Sequence, residues 1–308
     1  MQHYWSIEDV YLQDSWLTIG SFDGVHKGHQ QILRDMTAGA HQTNTTAVVL
    51  TFHPHPAVVL GKRSGPFYLT SPEERASLLA QLGVDIVLTC PFNLHVARTS
   101  AKDFMHELSM HLHMNQLWVG YDFALGKNRE GDVPTLKHLG KSLGYEVHVI
   151  NPVKLNGEVI SSSAIRTALG SGDVAKASEL LGRPYQVSGE IVHGDGRGRT
   201  IGIPTANLEV WAERAIPKAG VYVCKAHVQD KTIGAVTNIG VRPTFENQST
   251  SPTVEAHLLN YNGDLYGKRM KLDFVARLRD ERRFESIESL VQQINSDIQL
   301  GREILSRR

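Results

Sequence analysis

The chain has 308 residues, 41% of them hydrophobic and 21% charged, enough for two domains that each bury a core. With 32 basic against 32 acidic side chains it has no net charge, which excludes the electrostatic footprint of a duplex nucleic-acid binder or of a protein held to an anionic membrane, and favours small-molecule chemistry. Cys90 and Cys224 lie far apart and outside any C-x-x-C, no apolar run approaches the ~20 residues of a membrane span, and MQHYWSIEDV lacks a signal-peptide pattern, so a cytoplasmic protein without disulfides or thiolate metal site is expected.

Residues 17–33, LTIGSFDGVHKGHQQIL, read as the end of a buried strand, a turn punctuated by Gly20, Asp23 and Gly24, and a helix that carries Gln30, Gln31, Ile32, Leu33 and Met36. Such a turn leaves the first N–H groups of the helix unpaired, with the positive end of its dipole outward, which suits a phosphate. His26 and His29 share one face of the first turn, where they can donate hydrogen bonds to charge building on a phosphoryl oxygen; Gly28 keeps the space between them open. The same spacing also fits a zinc pair or two histidines on a helix surface.

Residues 45–52 (TTAVVLTF) are β-branched and apolar, as a buried parallel strand requires, and end at His53-Pro54-His55-Pro56. His55 then lies either on a ligand-binding loop at the carboxyl end of a strand or in a rigid exit turn with incidental histidines. Ser71-Pro72-Glu73-Glu74 is a capping box that opens a helix through Leu82; residues 85–89 make a short strand, and 100–113 a helix with Phe104, Leu108 and Leu112 on one face. The strand 117–119 runs into GYDFALGKN (120–128), which is not a phosphate-binding P-loop, because five residues separate its glycines and Asn128 follows the lysine. A helix over 133–143 and a strand over 145–150 complete a β/α alternation of about five strands, the pattern of a doubly wound parallel sheet.

Ile160-Ser161-Ser162-Ser163-Ala164-Ile165-Arg166 follows. A serine before a helix is an ordinary N-cap, yet three hydroxyls with Arg166 one turn on also make a second anion site, fit for the β and γ phosphates of a nucleotide. Beyond Gly182-Arg183-Pro184 the period changes, so the domain boundary is expected near Pro184, with domains over 1–184 and 185–308. Candidate strands over 185–193, 221–228, 231–239, 253–261 and 268–278 suggest a small antiparallel β-barrel, followed by a terminal helix from Ser286 with Ile287, Leu290, Val291, Ile294 and Ile298 as its core-facing stripe. The expected fold class is therefore α/β, an N-terminal doubly wound parallel sheet plus a C-terminal barrel.

Within the second half, GDGRGRTIGIPTAN (194–207) has the spacing G-x-G-x-x-x-G, with Pro204 where a helix should begin, which rejects a dinucleotide fingerprint. Its glycines can form an anion nest, with Thr205 and Asn207 offering oxygens to a hydrated Mg²⁺; a plain loop accounts for the segment equally well. Glu255 points away from the apolar face set by Val254, Ala256 and Leu258, and by itself reads first as a solvated charge.

Taken together, FDGVHKGH, FHPHP, YDFALGKNREGD, ISSSAIR, LLGRPYQVSGEIVHGDGRGRTIGIPTANL and VEAHLLNYNGDLYGKRMKLDFVARLRDERRF occur in an order that resembles the prokaryotic bifunctional riboflavin kinase/FMN adenylyltransferases, the FAD synthetases. The resemblance covers nearly the whole chain. It implies a barrel that phosphorylates riboflavin with ATP to give FMN, and an N-terminal nucleotidyltransferase domain that joins AMP from a second ATP to FMN, giving FAD and pyrophosphate. It further implies that Glu255 is the base for the ribityl 5′-hydroxyl, and that Thr205 and Asn207 organise Mg²⁺ and the ATP phosphates beside Gly198 and Gly202. By the same match His26 and His29 stabilise charge at the α-phosphate near Gly20 and Phe22, and Ser161, Ser162 and Arg166 hold the leaving pyrophosphate. His55 and Asp122 match positions in the flavin and nucleotide neighbourhood. Riboflavin, FMN and ATP are thus the expected partners, with no nucleic acid and no membrane. Ser21 stands where asparagine is common, Ser163 where threonine is usual, Ala124-Leu125 in place of Arg-Phe and Ile203 in place of phenylalanine; none of these removes a charged or imidazole group assigned a chemical step.

Overall fold

The computed structural model describes residues 1–194, 196–242 and 251–307. Packing divides the chain into two compact units that meet in sequence between Ser162 and Ser163. The first is built on parallel strands β1 (Gln2–Tyr4), β2 (Ser15–Ile19), β3 (Thr46–His53), β4 (Ile86–Pro91), β5 (Met114–Gly120) and β6 (Glu146–Ile150), in the spatial order β1-β4-β3-β2-β5-β6. Alternate residues of these strands feed two cores. Helices α1 (Lys27–Gln42) and α2 (Pro72–Ala80) set Leu33, Met36 and Leu79 over Trp16, Val49 and Val87. On the other face, α3 (Ala101–Leu112) and α4 (Val133–Leu143) set Met105, Leu108 and Leu136 over Leu17, Leu50 and Leu88.

A sheet covered on both sides needs strands that are apolar throughout, which is what the run in β3 supplies. The sixth strand, beyond the five or so expected, is β1, a three-residue edge too short to show a period. The chain winds outward from β2 through β3 to β4 and then returns to the other side of β2 for β5 and β6. Its direction therefore reverses between β2 and β5, and ligands of such sheets bind beyond the carboxyl ends of the strands at that reversal.

Helix α5 (Ser162–Ser171), after its first residue, and α6 (Val174–Leu181) pack with the second unit. Lys218 N–H donates to Leu169 O at 2.9 Å, and Gly172, at φ +85°, leaves room for the Arg277 side chain. The packing division thus precedes the Pro184 seam, where it is the period of the sequence that changes. Strands β7 (Tyr185–Val192), β8 (Ala206–Val210), β9 (Gly220–Val228), β10 (Lys231–Arg242), β11 (Ser251–Leu258) and β12 (Arg269–Arg279) close an antiparallel barrel in the order β7-β8-β11-β10-β9-β12. Val187, Leu208, Tyr222, Ala256 and Phe274 are among its buried side chains. The sequence reading lacked β8, a five-residue strand hidden behind Pro204 and a glycine-rich run, and without it β7 and β11 would be left as open edges.

Helix α7 (Ile287–Ser306) lays Ile298 and Leu305 on Val221, Val236 and Leu259. The expected stripe is corrected at its start: Ile287 is 62% exposed. The buried face instead includes Asp297, whose carboxylate accepts from Arg279 Nε at 3.0 Å and Nη2 at 2.7 Å.

Candidate active sites

The loop from β2 to α1 bears the histidine pair. Phe22 and Val25 adopt left-handed backbone (φ 45° and 41°), a conformation that costs a non-glycine residue of order ~1–3 kcal/mol and persists only where surrounding contacts over-determine it. Those contacts are buried and polar. The Asp23 carboxylate accepts from Leu69 N–H, Thr70 N–H and the Thr70 hydroxyl at 3.0–3.1 Å, and Thr70 Oγ1 in turn accepts from Gly24 N–H at 3.1 Å. Arg75, only 1% exposed, donates from Nη1 to Ser21 O at 2.8 Å, and the Thr51 hydroxyl donates to the same carbonyl at 3.0 Å.

The loop delivers His26 as the N-cap of α1. Its Nδ1 accepts from His29 N–H at 3.3 Å, so the proton of a neutral His26 ring sits on Nε2. The two imidazoles stack with centroids 3.6 Å apart and planes 17° apart, and the Phe22 ring meets His29 edge-on at 5.0 Å. Gly28 makes the stack possible, because a Cβ there would lie 3.1 Å from His26 Cε1 and Nδ1. Burial, then the neighbouring His26, then Arg75 hold His29 well below the usual 6.5, so it is neutral at pH 7; its Nδ1 is buried with no hydrogen-bond partner. Gly20 approaches the Phe22 ring, where a Cβ would lie 3.1 Å from Cε2. Phe22 itself is buried.

The serine helix reaches this loop. Ser162 Oγ donates to Asp23 O at 2.8 Å, and Ile160 O lies 3.6 Å from where a Gly28 Cβ would be. Ser161 immediately precedes α5, and Arg166 follows Ser162 by four residues on the same helix face. Asp122 is exposed in the loop that leaves β5, on the other side of the sheet's reversal point from His26. His55 caps the single turn Pro56–Val59: its Nδ1 accepts from Ala57 N–H at 3.0 Å, and its N–H donates to the Tyr68 hydroxyl at 2.8 Å. The rigid exit turn is therefore present, with His55 as a working part of it.

A second cluster lies on the barrel. In register, Glu255 of β11 stands opposite Asn207 of β8 on one side and Asn238 of β10 on the other, on the face turned from the barrel interior. Asn238 Nδ2 donates to Glu281 Oε1 at 3.1 Å. A Cβ at Gly194 would displace the Asn207 amide, and at Gly198 a Cβ would overlap the Ile203 carbonyl. Ile203 N–H closes the turn onto Gly198 O at 2.8 Å, Gly202 takes φ +75°, and His257 Nδ1 donates to Pro204 O at 2.8 Å, pinning the segment that ends in Thr205 and Asn207. Asp195 lies outside the described residues. Sequence spacing brought out the histidines, the serines and the PTAN segment. It missed Asp23, Thr70 and Arg75, whose partners are distant in sequence, and Asn238, which only strand register places beside Glu255.

These two units define a two-centre transferase that works on phosphate groups. The FAD synthetase family matches residues 9–164 and the riboflavin kinase family residues 181–305. The chain is 39% identical to the bifunctional riboflavin kinase/FMN adenylyltransferase of Bacillus subtilis, over 92% of this chain and 90% of that protein. With the Escherichia coli protein of the same description it shares 37% identity over 93% and 91%. A crystal structure described as a macrolide-efflux protein from Streptococcus pneumoniae superposes with a TM-score of 0.89 at 30% identity, covering 97% of this chain and 98% of that one. The chain belongs to the bifunctional riboflavin kinase/FMN adenylyltransferase family. Among the described residues no helix is long and apolar enough to cross a membrane.

Proposed function

We propose that the chain makes FAD from riboflavin in two steps at two centres, riboflavin phosphorylation by residues 185–308 and FMN adenylylation by residues 1–184. The observation that carries this division is that each unit has its own constellation, the stacked His26–His29 pair in one and the Asn207–Glu255–Asn238 row in the other.

At the barrel centre, Glu255, flanked in register by Asn207 and Asn238, takes the proton of the ribityl 5′-hydroxyl as that oxygen attacks the γ-phosphorus of ATP and ADP leaves. Gly198 and Gly202 shape the turn that receives the phosphates. The Thr205 hydroxyl and the Asn207 amide are hard oxygen donors of the kind Mg²⁺ takes. Among the described residues no three His, Cys, Asp or Glu side chains converge on one point. Thr205 and Asn207 would hold the Mg²⁺, and when bound it neutralises phosphate charge.

In the sheet unit, a phosphate oxygen of FMN attacks the α-phosphorus of ATP and pyrophosphate leaves. His26 donates from Nε2 to an α-phosphate oxygen, and neutral His29 supplies a second ring N–H without adding a repelling charge beside it. Gly20 and Phe22 serve through their main chain. Ser161, Ser162 and Arg166 receive the pyrophosphate; the Ser162 hydroxyl proton is already committed to Asp23 O, so Ser162 contributes its main-chain N–H at the helix N-terminus. His55 and Asp122 belong to the flavin and nucleotide neighbourhood. A cytoplasmic setting suits the unpaired Cys90 and Cys224, both of whose thiols burial pushes up to about 12. Incubation with riboflavin, ATP and Mg²⁺ should give FMN first and then FAD with pyrophosphate. Accumulation of neither flavin would overturn the reading.

A further inference from the structure

Arg75 lies on α2, outside every motif of the sequence, yet its guanidinium is buried directly beneath the histidine loop. It donates to Ser21 O at 2.8 Å and faces Phe52 O at 3.5 Å, so one side chain ties the start of the loop to the end of β3. One residue further along the loop from Phe22, Asp23 is fixed by Leu69 and Thr70, just upstream of the helix that bears Arg75, and its charge acts favourably on Arg75. Ser21 and Asp23 therefore clamp the left-handed Phe22 from both sides, and Phe22 supports the His29 ring.

We propose that Arg75 is a positioning residue for adenylyl transfer, acting through Ser21 O and Asp23 to hold the strained loop that aims His26 and His29 at the α-phosphate. The proposal rests on the assignment of those histidines made above. Arg75 touches no substrate in this scheme. Its burial is costly for a cation, which a merely space-filling position would not require; the carbonyls and the Asp23 carboxylate compensate it.

A second consequence concerns charge. The titratable groups acting on His29 are His26 and Arg75, and those acting on Arg75 are Asp23, Tyr68 and Glu73. With Arg75 in place His29 stays neutral to lower pH; without that cation it protonates more readily, so the acid limb of adenylylation should move to higher pH.

The test uses the full chain with Arg75→Met and Arg75→Lys, measuring FAD formation from supplied FMN and ATP across pH, with riboflavin phosphorylation as the internal control. Arg75→Met should lower kcat for FAD formation by roughly 10²-fold, with much smaller changes in KM, and shift the acid limb upward, while FMN formation stays at the wild-type rate. Arg75→Lys keeps the charge but lacks the fork that reaches two carbonyls, so its kcat should fall while the acid limb stays in place. If the methionine variant fails to fold, the lysine variant alone decides: wild-type kcat in it overturns the proposal. An unchanged kcat and pH profile in Arg75→Met does the same. These results stand apart from failure of the underlying assignment, which would show instead as full FAD synthesis by His26→Ala and His29→Ala.

Discussion

In the first turns of a helix, replacing glycine by alanine ordinarily stabilises by ~0.5–1 kcal/mol, since alanine loses less backbone freedom on folding. At Gly28 the same methyl group would press on the His26 ring at 3.1 Å and push it off His29. Gly28→Ala should therefore reduce FAD formation by about tenfold or more, leave riboflavin phosphorylation unchanged, and shift the thermal midpoint little; activity assays beside a melting curve check all three. His29 yields a stability prediction as well. Its folded-state pKa lies below the unfolded value of 6.5, so its contribution is fully present above pH 6.5 and is lost as pH falls below that value, where the unfolded chain binds the proton first. In His29→Gln the decline in stability from pH 6.5 to 5, followed by urea denaturation, should be shallower than in the wild type. At this scale the sequence is legible where function sits on neighbours in the chain, as with His26, Gly28 and His29. Asp23 and Arg75 were silent because a buried carboxylate in a turn and an arginine in an amphipathic helix have the same spelling as surface residues.

At the scale of elements, period carried the reading where segments are long. The strands of the sheet other than β1, and the helices over 133–143 and 287–306, emerge from apolar runs or 3.6-residue spacing. It failed for β1 and β8, which are short, and for one face of α7, where Asp297 replaces an apolar side chain in the buried stripe. A hydrophobic count cannot anticipate a carboxylate whose partner, Arg279, ends a strand. The pair is partly buried and hydrogen-bonded through both oxygens, and Gln293 adds a further donor to Asp297 at 2.8 Å. Asp297→Ala leaves Arg279 without that partner and should destabilise the barrel unit by about 2 kcal/mol, a value discounted from the usual 3–5 because the arginine keeps some solvent. Ile287→Ala, at a 62% exposed position, should change stability by no more than about 0.5 kcal/mol. Urea denaturation of the two variants side by side tests whether Asp297 or the apolar start of the helix fixes α7 to the barrel.

For the molecule as a whole, two units with separate cores imply that either chemistry can be removed without the other. The Pro184 seam marks a change of period, whereas packing divides the chain earlier, between Ser162 and Ser163, on a helix whose first residue belongs to the sheet unit and whose body packs with the barrel unit. Such a division is invisible to composition, since it falls inside the first turn of a single helix. Because the product of one centre is the substrate of the other, a mixture of complementary variants is informative. Glu255→Gln alone should convert supplied FMN to FAD but leave riboflavin untouched, and His29→Ala alone should stop at FMN. Mixed, they should make FAD from riboflavin after a lag in which free FMN rises, and the final rate should increase when either variant is doubled, because FMN must leave one chain and enter another. Unlabelled FMN added to labelled riboflavin should then dilute the label in FAD. If each variant keeps its half reaction but the mixture makes no FAD, FMN formed on the barrel does not reach solution, and the two centres act as one device despite their separate cores.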